Sequence, residues 1–319
     1  MEYLLILKQE HWISSKACLL CRIIFRILSR LSKSITLPNK MEIILAKNKG
    51  MCFGVRRALD LAFKAAGPGR IYTYGPLVHN KDVVKDLEDK GISITELDDI
   101  KQGDLIIIRA HGVSDKELDA IKKKGAEVID ATCPFVSKVK KDAKEMQEKG
   151  FRVVMLGQKD HPEIRGIAES LRDPIIISST EDAREMKQEI KDKRIGFVSQ
   201  TTQSEKSFNG VLEVLKDVCA EVDVSNTICN ATSERQESAK RTASESDIML
   251  VVGDKRSANT NKLAELCSEI TETRHIENVS ELRPEWFKGM KTAGITAGAS
   301  TPDWIVDEVV DRLKQIQQI

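Results

Sequence analysis

The chain has 319 residues, which is long for a single hydrophobic core and favours two or three α/β units. Its 50 Lys and Arg against 49 Asp and Glu give a formal net charge of +1, so no overall charge points to nucleic acid as a partner. The 7 cysteines lie far apart and follow no secretory signal pattern, which favours reduced thiols or metal ligands over disulfide bonds.

Residues 1–40 differ in composition from the rest of the chain. Arg22, Arg26 and Arg30 recur at every fourth position among Leu and Ile residues, which predicts a basic amphipathic helix with too many charges to span a bilayer. One interpretation is a targeting presequence; the other is that Met41 is the true start and the residues before it come from an upstream start codon. We favour Met41, because a proline and an asparagine interrupt the chain just before it.

From Met41 onward, apolar runs end in short polar loops, and each loop opens a helix. Near-continuous apolar strands that alternate with helices indicate parallel sheets covered on both faces. In such sheets ligands bind at the carboxyl ends of the strands, so we expect the chemistry in these loops. The clearest examples are DLIIIRAHGVSDKEL, FRVVMLGQKDHPEIRGI and IMLVVGDKRSANTNKL.

The loops carry polar side chains suited to binding or catalysis. A single histidine at such a position is more often a helix cap or a surface residue, but three in equivalent loops form a candidate site. The other two histidines, His11 and His275, lie in no such loop and are interpreted as structural. The polar residues of the loops are His79, His111, His161, Glu163, Ser257, Asn259 and Ser300.

Three cysteines, Cys52, Cys133 and Cys229, each follow an apolar or turn segment and precede a stretch with helical character. Backbone amides at a helix start favour a thiolate. If three units surround a pseudo-threefold axis, the sulfurs can converge on a zinc ion with an open fourth position or on three irons of a 4Fe–4S cube, and geometry alone does not choose between them. Cys219 and Cys267 lie within helical periodicity and are expected in the core.

One such cysteine per unit divides the chain beyond its extension into three α/β units, at residues 41–131, 132–226 and 227–319. Over this part, from Met41 to about Leu313, a series of ordered motifs resembles the 4-hydroxy-3-methylbut-2-enyl diphosphate reductase family, of the LytB type. So many motifs in one order make the resemblance very specific. In chain order they are KGMCFGV, YGPLVHN, IRAHGV, DATCPFV, HPE, SQTTQS, ICNAT, VVGDKRSANTNKL and ITAGASTPDWIV.

The resemblance implies an α/β fold, a pseudo-threefold trefoil of three α/β units with parallel sheets around a central cavity. It also implies one 4Fe–4S cluster per chain, held by Cys52, Cys133 and Cys229, with one iron that no protein group ligates. The implied substrate is an allylic alcohol diphosphate whose hydroxyl oxygen reaches that iron. Thr201 matches the residue that orients this hydroxyl group, and Glu163 matches the proton donor.

The diphosphate would be bound by polar loops. Ala258 lies in one of them, where family members often have a second serine, so one hydroxyl donor is missing here. Histidine, amide and hydroxyl donors at helix N-termini suit a buried group with several negative charges. The residues that match this binding site are His79, His111, Ser257, Asn259 and Ser300, with His161 lining the same pocket.

The implied activity is a two-electron reductive dehydroxylation that gives isopentenyl diphosphate and dimethylallyl diphosphate, the last step of the methylerythritol phosphate route to isoprenoids. Ferredoxin or flavodoxin is the expected electron donor, and we expect a monomer without membrane association of the core. The expected location is the bacterial cytoplasm, or a plastid if residues 1–40 are a presequence.

Two other functions are compatible with parts of the sequence. A thiol hydrolase or transferase could use Cys133 as nucleophile and His161 as base, but this leaves Cys52 and Cys229 without a role. A metal-stabilised diphosphate-binding module would need no catalysis. Glu163 argues against it, because a carboxylate beside a diphosphate is repulsive unless it is protonated or takes part in the reaction.

Overall fold

The computed structural model describes residues 41–316, so the predicted basic helix in residues 1–40 lies outside the described residues. Within this part the chain forms twelve β-strands. They are β1 (Glu42–Leu45), β2 (Ile71–Tyr74), β3 (Ile92–Thr95), β4 (Leu105–Ile108), β5 (Glu127–Asp130), β6 (Arg152–Leu156), β7 (Ile175–Ile177), β8 (Arg194–Ser199), β9 (Glu221–Val224), β10 (Ile248–Val252), β11 (Glu272–Ile276) and β12 (Thr292–Ala297).

The same residues form eleven α-helices, and short 3-10 turns occur at Leu97–Asp99, Val279–Glu281 and Pro284–Phe287. The helices are α1 (Phe53–Ala65), α2 (Lys81–Asp89), α3 (Asp115–Lys123), α4 (Pro134–Glu148), α5 (Pro162–Ala168), α6 (Thr180–Glu185), α7 (Lys187–Ile190), α8 (Glu205–Val218), α9 (Asn230–Ser244), α10 (Ala258–Ser268) and α11 (Asp303–Ile316).

The strands form three four-stranded sheets in which every pairing is parallel. The first sheet has the order β3-β2-β4-β5, and the second has the order β7-β6-β8-β9. The third repeats this order as β11-β10-β12-β1. The predicted α/β fold of three units with parallel sheets is therefore confirmed.

The third sheet takes its edge strand from the beginning of the described chain. Ile43 of β1 lies opposite Ala293 of β12, and Leu45 lies opposite Ile295. The sequence analysis placed residues 42–45 in the first unit, and this detail is wrong. Apolar runs predict that a strand exists, but they do not tell which strand it pairs with.

The central strands of each sheet are buried on both faces, as their apolar sequences predict. Side chains alternate between the faces of a strand: Ile107 packs in one core and its neighbours Ile106 and Ile108 pack in another. The strand β10 is likewise fully buried, with Leu250 facing one core and Val251 the other. No helix within residues 41–316 has the length and apolar character needed to cross a membrane.

Candidate active site

In each sheet, three loops at the carboxyl ends of the strands carry the candidate residues. These loops occupy equivalent positions in the three sheets. The first group of loops follows β2, β6 and β10, the second follows β4, β8 and β12, and the third follows the edge strands β5, β9 and β1. In this order the groups contain His79, His161 and Ser257, then His111, Thr201 and Ser300, then Cys133, Cys229 and Cys52.

Residues of these loops line one cavity. It is lined by every residue that the sequence analysis assigned to the site, although the role of each residue stays a prediction. These residues are Cys52, Cys133, Cys229, His79, His111, His161, Glu163, Thr201, Ser257, Ala258, Asn259 and Ser300.

The three cysteines are the N-cap residues of α1, α4 and α9, and none of their sulfur atoms makes a cap hydrogen bond. Their backbone amides are held in the same way in all three sheets. The amides of Cys52, Cys133 and Cys229 donate to the carbonyl oxygens of Ala299, Ala110 and Thr201, at 3.0, 2.9 and 3.1 Å. Each cysteine is thus fixed to the loop that follows the neighbouring strand.

The sulfur atoms lie close to one another. A methyl group on Gly54, the second residue of α1, would lie 2.6 Å from Cys133 Sγ and 3.9 Å from Cys52 Sγ, so glycine leaves the room that the two sulfurs need. Burial raises the pKa of the Cys133 thiol, and the backbone amides of Phe135 and Val136 oppose this rise. Burial also raises the pKa of Cys229. Three thiols that line one cavity are a donor set for a metal or an iron–sulfur cluster.

The three histidine rings form a second cluster in the cavity. Their centroids are 4.9 Å apart for His79 and His111, 5.2 Å for His111 and His161, and 6.1 Å for His79 and His161. Burial lowers the pKa of all three, that of His161 to about 4, and the neighbouring rings and Arg109 act in the same direction for His111 and His161. At neutral pH these rings are therefore uncharged.

The ring nitrogens are close enough to hold a metal ion. The hydrogen bond of His161 opposes this use: its Nδ1 atom caps α5 by accepting from the amide of Glu163 at 3.1 Å. A neutral ring that accepts at Nδ1 carries its proton on Nε2. That nitrogen is a hydrogen-bond donor and lacks the lone pair that a metal requires. The arrangement suits an anion better than a cation.

Glu163 and Thr201 form a buried pair. The side chain of Glu163 is 2% exposed. It accepts hydrogen bonds from the backbone amide of Thr201 at 2.7 Å and from the Thr201 hydroxyl group at 2.8 Å. Burial nevertheless raises the pKa of Glu163 to about 7. At neutral pH this carboxyl group is therefore poised both to hold and to release a proton.

The third sheet contributes the beginning of α10. Ser257 is its N-cap and accepts from the amide of Thr260 at 3.4 Å. Neither polar side-chain atom of the buried Asn259 has a hydrogen-bond partner among the described residues, and the same is true of His111 Nδ1. Buried polar atoms without partners are costly, so they indicate the place of a polar ligand. Ser300 connects the sheets, since its hydroxyl group donates to the carbonyl oxygen of His79 at 3.0 Å.

The sequence analysis missed one ionic residue of the cavity, Arg235. It belongs to the buried face of α9 together with Thr232, Gln236 and Ala239. Because this face is mostly polar, its periodicity resembles that of a solvent-exposed helix. No apolar periodicity marks these positions, so the sequence carried no signal that this face is buried.

Among residues 41–316, two cysteines and one histidine lie outside the cavity. Cys267 is fully buried in an apolar cluster, as predicted, and burial raises its pKa to about 12. Cys219 ends α8 and packs half-buried against another cluster. His275 has a structural contact, because its Nε2 lies 2.9 Å from the carbonyl oxygen of Gly253.

Residues 43–314 match the family model described as LytB protein. Curated relatives include the 4-hydroxy-3-methylbut-2-enyl diphosphate reductase of Aquifex aeolicus, 43% identical over 86% of this chain and 97% of the relative. The protein of the same name from Pelobacter propionicus is 46% identical over 87% of this chain and 99% of the relative.

Two solved structures share the fold. One is a structure of (E)-4-hydroxy-3-methyl-but-2-enyl diphosphate reductase, 42% identical with a TM-score of 0.63, covering 86% of this chain and 99% of that one. The other is the E-1-hydroxy-2-methyl-but-2-enyl-4-diphosphate reductase of Plasmodium falciparum, 28% identical with a TM-score of 0.80, covering 86% of this chain and 88% of that one. Since the family model spans nearly all of the described residues and the relatives match over almost their whole length, this chain belongs to the LytB family.

Proposed function

We propose that the protein is an oxidoreductase that removes the hydroxyl group of 4-hydroxy-3-methylbut-2-enyl diphosphate, giving isopentenyl and dimethylallyl diphosphate. The observation that carries the proposal is the composition of one cavity: three cysteines, a buried carboxyl–hydroxyl pair and a cluster of uncharged histidines. The names of the relatives support the same activity. As the last step of non-mevalonate isoprenoid synthesis, it would take place in the bacterial cytoplasm.

Cys52, Cys133 and Cys229 would hold the 4Fe–4S cluster, one per chain. Their sulfur atoms make no helix-cap hydrogen bonds and share one cavity, which suits three ligands of a cube. When bound, the cluster would supply electrons and Lewis acidity. A soluble carrier, ferredoxin or flavodoxin, would deliver the two electrons, and the protein would act as a monomer.

The diphosphate would lie between the histidines and the beginning of α10. The His161 ring is locked as an Nε2–H donor by its cap hydrogen bond, so it donates to an anion without carrying charge itself. The side-chain Nδ2 group of Asn259, which has no partner among the described residues, would donate to the diphosphate in this arrangement. Ala258 brings no hydroxyl group, but the first amides of α10 can bind phosphate through the backbone.

The Glu163–Thr201 pair would deliver a proton to the leaving oxygen. Replacement of the hydroxyl group by hydrogen consumes two electrons and two protons and releases one water molecule. The first proton passes from Glu163 to Thr201, whose hydroxyl proton passes to the leaving oxygen, so that it departs as water and Glu163 becomes a carboxylate. The second proton joins carbon, and the end of the allylic fragment that receives it determines the product.

The thiol hydrolase is supported less well. Burial raises the pKa of Cys133, which disfavours a thiolate. The hydrogen bonds found among residues 41–316 do not include one between Cys133 and His161, and His161 Nδ1 is engaged with its own helix. A pure diphosphate-binding module would not need a carboxyl group poised near neutral pKa in the same cavity.

Anaerobic purification tests the proposal. The wild-type protein should be brown, contain about four irons per chain as a 4Fe–4S cluster requires, and convert the diphosphate substrate when reduced methyl viologen supplies electrons. Cys133→Ser should lose iron and conversion, and Cys219→Ser is the matched control that keeps both. A colourless wild-type protein, or an iron-loaded one that leaves the substrate unchanged, would contradict the proposed function. Supplying ferredoxin or flavodoxin then identifies the donor.

A further inference from the structure

Arg235 is a buried cation beside the three cysteines. Its side chain lies in the second turn of α9, lines the cavity and is 4% exposed. Two of its nitrogens donate to carbonyl oxygens, Nη1 to Ala231 at 2.8 Å and Nη2 to Gly50 at 2.7 Å. Its Nε atom has no partner among the described residues.

These contacts join the segments of two cysteines. Gly50 lies two residues before Cys52 and Ala231 lies two residues after Cys229, so one guanidinium group spans both segments. Gly50 has a φ of +74°, which favours glycine and aims its carbonyl oxygen at the arginine. A further hydrogen bond holds the same loop on α9, from the amide of Asn48 to Ser238 Oγ at 3.1 Å.

The charge of Arg235 lacks a carboxylate partner. Among the ion pairs formed by residues 41–316, none includes this arginine, although buried arginines are almost always paired. Burial lowers the pKa of Arg235, whereas Cys52, Cys229 and Glu234 raise it, so the two cysteines lie within electrostatic reach of this charge. An unpaired buried cation is costly, and three thiolates with their bound group would supply the missing negative charge.

We propose that Arg235 is a positioning residue of the three-cysteine site: it fixes the Cys52 and Cys229 segments to each other, and its charge stabilises the reduced form of the cluster they hold. The inference rests on the proposed function for the identity of the bound group. Each electron added makes that group more negative, so a nearby fixed cation raises its reduction potential. Arginine suits this place because its planar fork reaches two carbonyl oxygens and stays charged when buried.

The test is a redox titration of the anaerobically reconstituted full chain, without substrate, monitored by electron paramagnetic resonance. Arg235→Met removes the charge and keeps much of the volume, and Arg235→Lys keeps the charge and loses the fork. Arg241→Met is the matched control, an exposed cation on the same helix that pairs with Glu237 at 3.3 Å. Iron content per chain and thermal unfolding are measured on each sample.

We expect Arg235→Met to disfavour reduction at least tenfold, which is about 59 mV for one electron. Arg235→Lys should change this equilibrium by less than about threefold and lose iron faster than the wild type, since the charge remains and the fork is lost. Arg241→Met should match the wild type. Equal potentials for the Met and Lys variants, or an equal shift in Arg241→Met, would overturn the inference.

If Arg235→Met does not fold, Arg235→Gln is the second neutral variant, and the same tenfold shift is expected from it. If neither neutral variant holds a cluster, Arg235→Lys decides: a wild-type potential supports the inference, and a tenfold shift overturns it. The redox titration contains no substrate, so its result does not depend on whether the protein converts the substrate. The two proposals can therefore fail separately. Normal potentials with no conversion contradict only the proposed function, and unshifted potentials with normal conversion contradict only the role of Arg235.

Discussion

The helices of this protein begin in two different ways. At α2, Asn80 Oδ1 accepts from the amides of Asp82 and Val83, both at 3.0 Å. At α4 the N-cap residue is Cys133, and its sulfur makes no cap hydrogen bond. Both helices follow strands of the same sheet, so the difference lies in the cap residue and not in the fold around it.

The comparison shows where the chain gives up the stability that a polar N-cap provides. A polar N-cap contributes about 1 kcal/mol relative to alanine. The three helices that begin at Cys52, Cys133 and Cys229 forgo this contribution, and their cysteines line the cavity, where Cys229 Sγ lies 3.0 Å from Thr232 Oγ1. His161 combines both uses, because Nδ1 caps its helix and Nε2 carries the proton.

The largest effect is expected when an N-cap cysteine is replaced by serine, a residue that commonly caps helices. Replacement of Cys52, Cys133 or Cys229 by serine should abolish turnover, because a neutral hydroxyl group is a poor iron ligand. The cluster-free protein should keep its stability or gain up to about 1 kcal/mol, since serine is a favourable N-cap. Iron analysis, activity and thermal unfolding measure the three quantities. Loss of the cluster in Cys219→Ser with retention in Cys229→Ser would mean that the ligands are assigned wrongly.

Glu163→Gln changes a residue of the first turn of α5 without touching the cap of that helix. The amide keeps the shape but has no transferable proton, so we expect substrate binding to persist while turnover falls about 100-fold, as for loss of a general acid. Binding is measured by calorimetry and turnover by product analysis. Unchanged turnover would remove Glu163 from the mechanism.

The pH dependence of turnover in the same variant checks the proposed role of Glu163 as proton donor. In the wild type turnover should fall above about pH 7, where Glu163 loses its proton, and this limb should be absent in Glu163→Gln. The raised pKa also makes the free energy of unfolding depend on pH. Glu163 favours the folded state below its ordinary pKa of 4.5, and this contribution is lost as the pH rises through about 7. Unfolding of the glutamine variant should therefore depend less on pH in that range.

His161→Asn separates the two uses of a capping side chain. Asparagine is a good N-cap, so the stability of the protein should change by less than about 0.5 kcal/mol, within the range of cap exchanges. The proposed donor to the diphosphate is lost, and a hydrogen bond to a charged group contributes roughly tenfold to a hundredfold in affinity. Calorimetric titration with substrate, at equal iron content, measures this loss. Wild-type affinity would show that His161 only caps its helix.

A smaller effect is expected inside the first turn of α10, where the cap Ser257 is already polar. Ala258→Ser adds a hydroxyl donor and should tighten substrate binding by at most about tenfold, because the backbone amides at this helix start can bind phosphate without it. The maximal rate should hardly change, as expected for binding energy shared by ground and transition states. Asn259→Ala should weaken binding clearly in the same titration. A strong rise in rate for Ala258→Ser, or no effect of Asn259→Ala, would place the diphosphate elsewhere.

The smallest effect on function should come from a cap that serves only its helix. Asn80→Ala removes two hydrogen bonds at α2 and should lower the free energy of unfolding by about 1 kcal/mol. Iron content and turnover should match the wild type, although His79 is the preceding residue. Chemical denaturation and activity measure both. A loss of turnover without loss of stability would mean that this cap also positions the histidine.

The sequence predicted the strands and their loops because the apolar runs are nearly continuous and the polar residues follow them directly. It predicted the cysteines and histidines of the cavity because these side chains are rare and occur at strand ends. It missed the place of β1, because strand pairing depends on contacts far apart in the chain. It also missed Arg235, because a buried polar helix face has no hydrophobic signal.

The position of β1 has a consequence for synthesis on the ribosome. The strands of the first and second sheets emerge close together in time, so each sheet can form as the chain grows. The third sheet must wait, because β1 is made before every strand of the first two sheets and its partner β12 is made after all of them. Cys52, whose amide is held by Ala299 after β12, is therefore fixed after Cys133 and Cys229, and the cavity that would receive the cluster is complete only once β12 has been made.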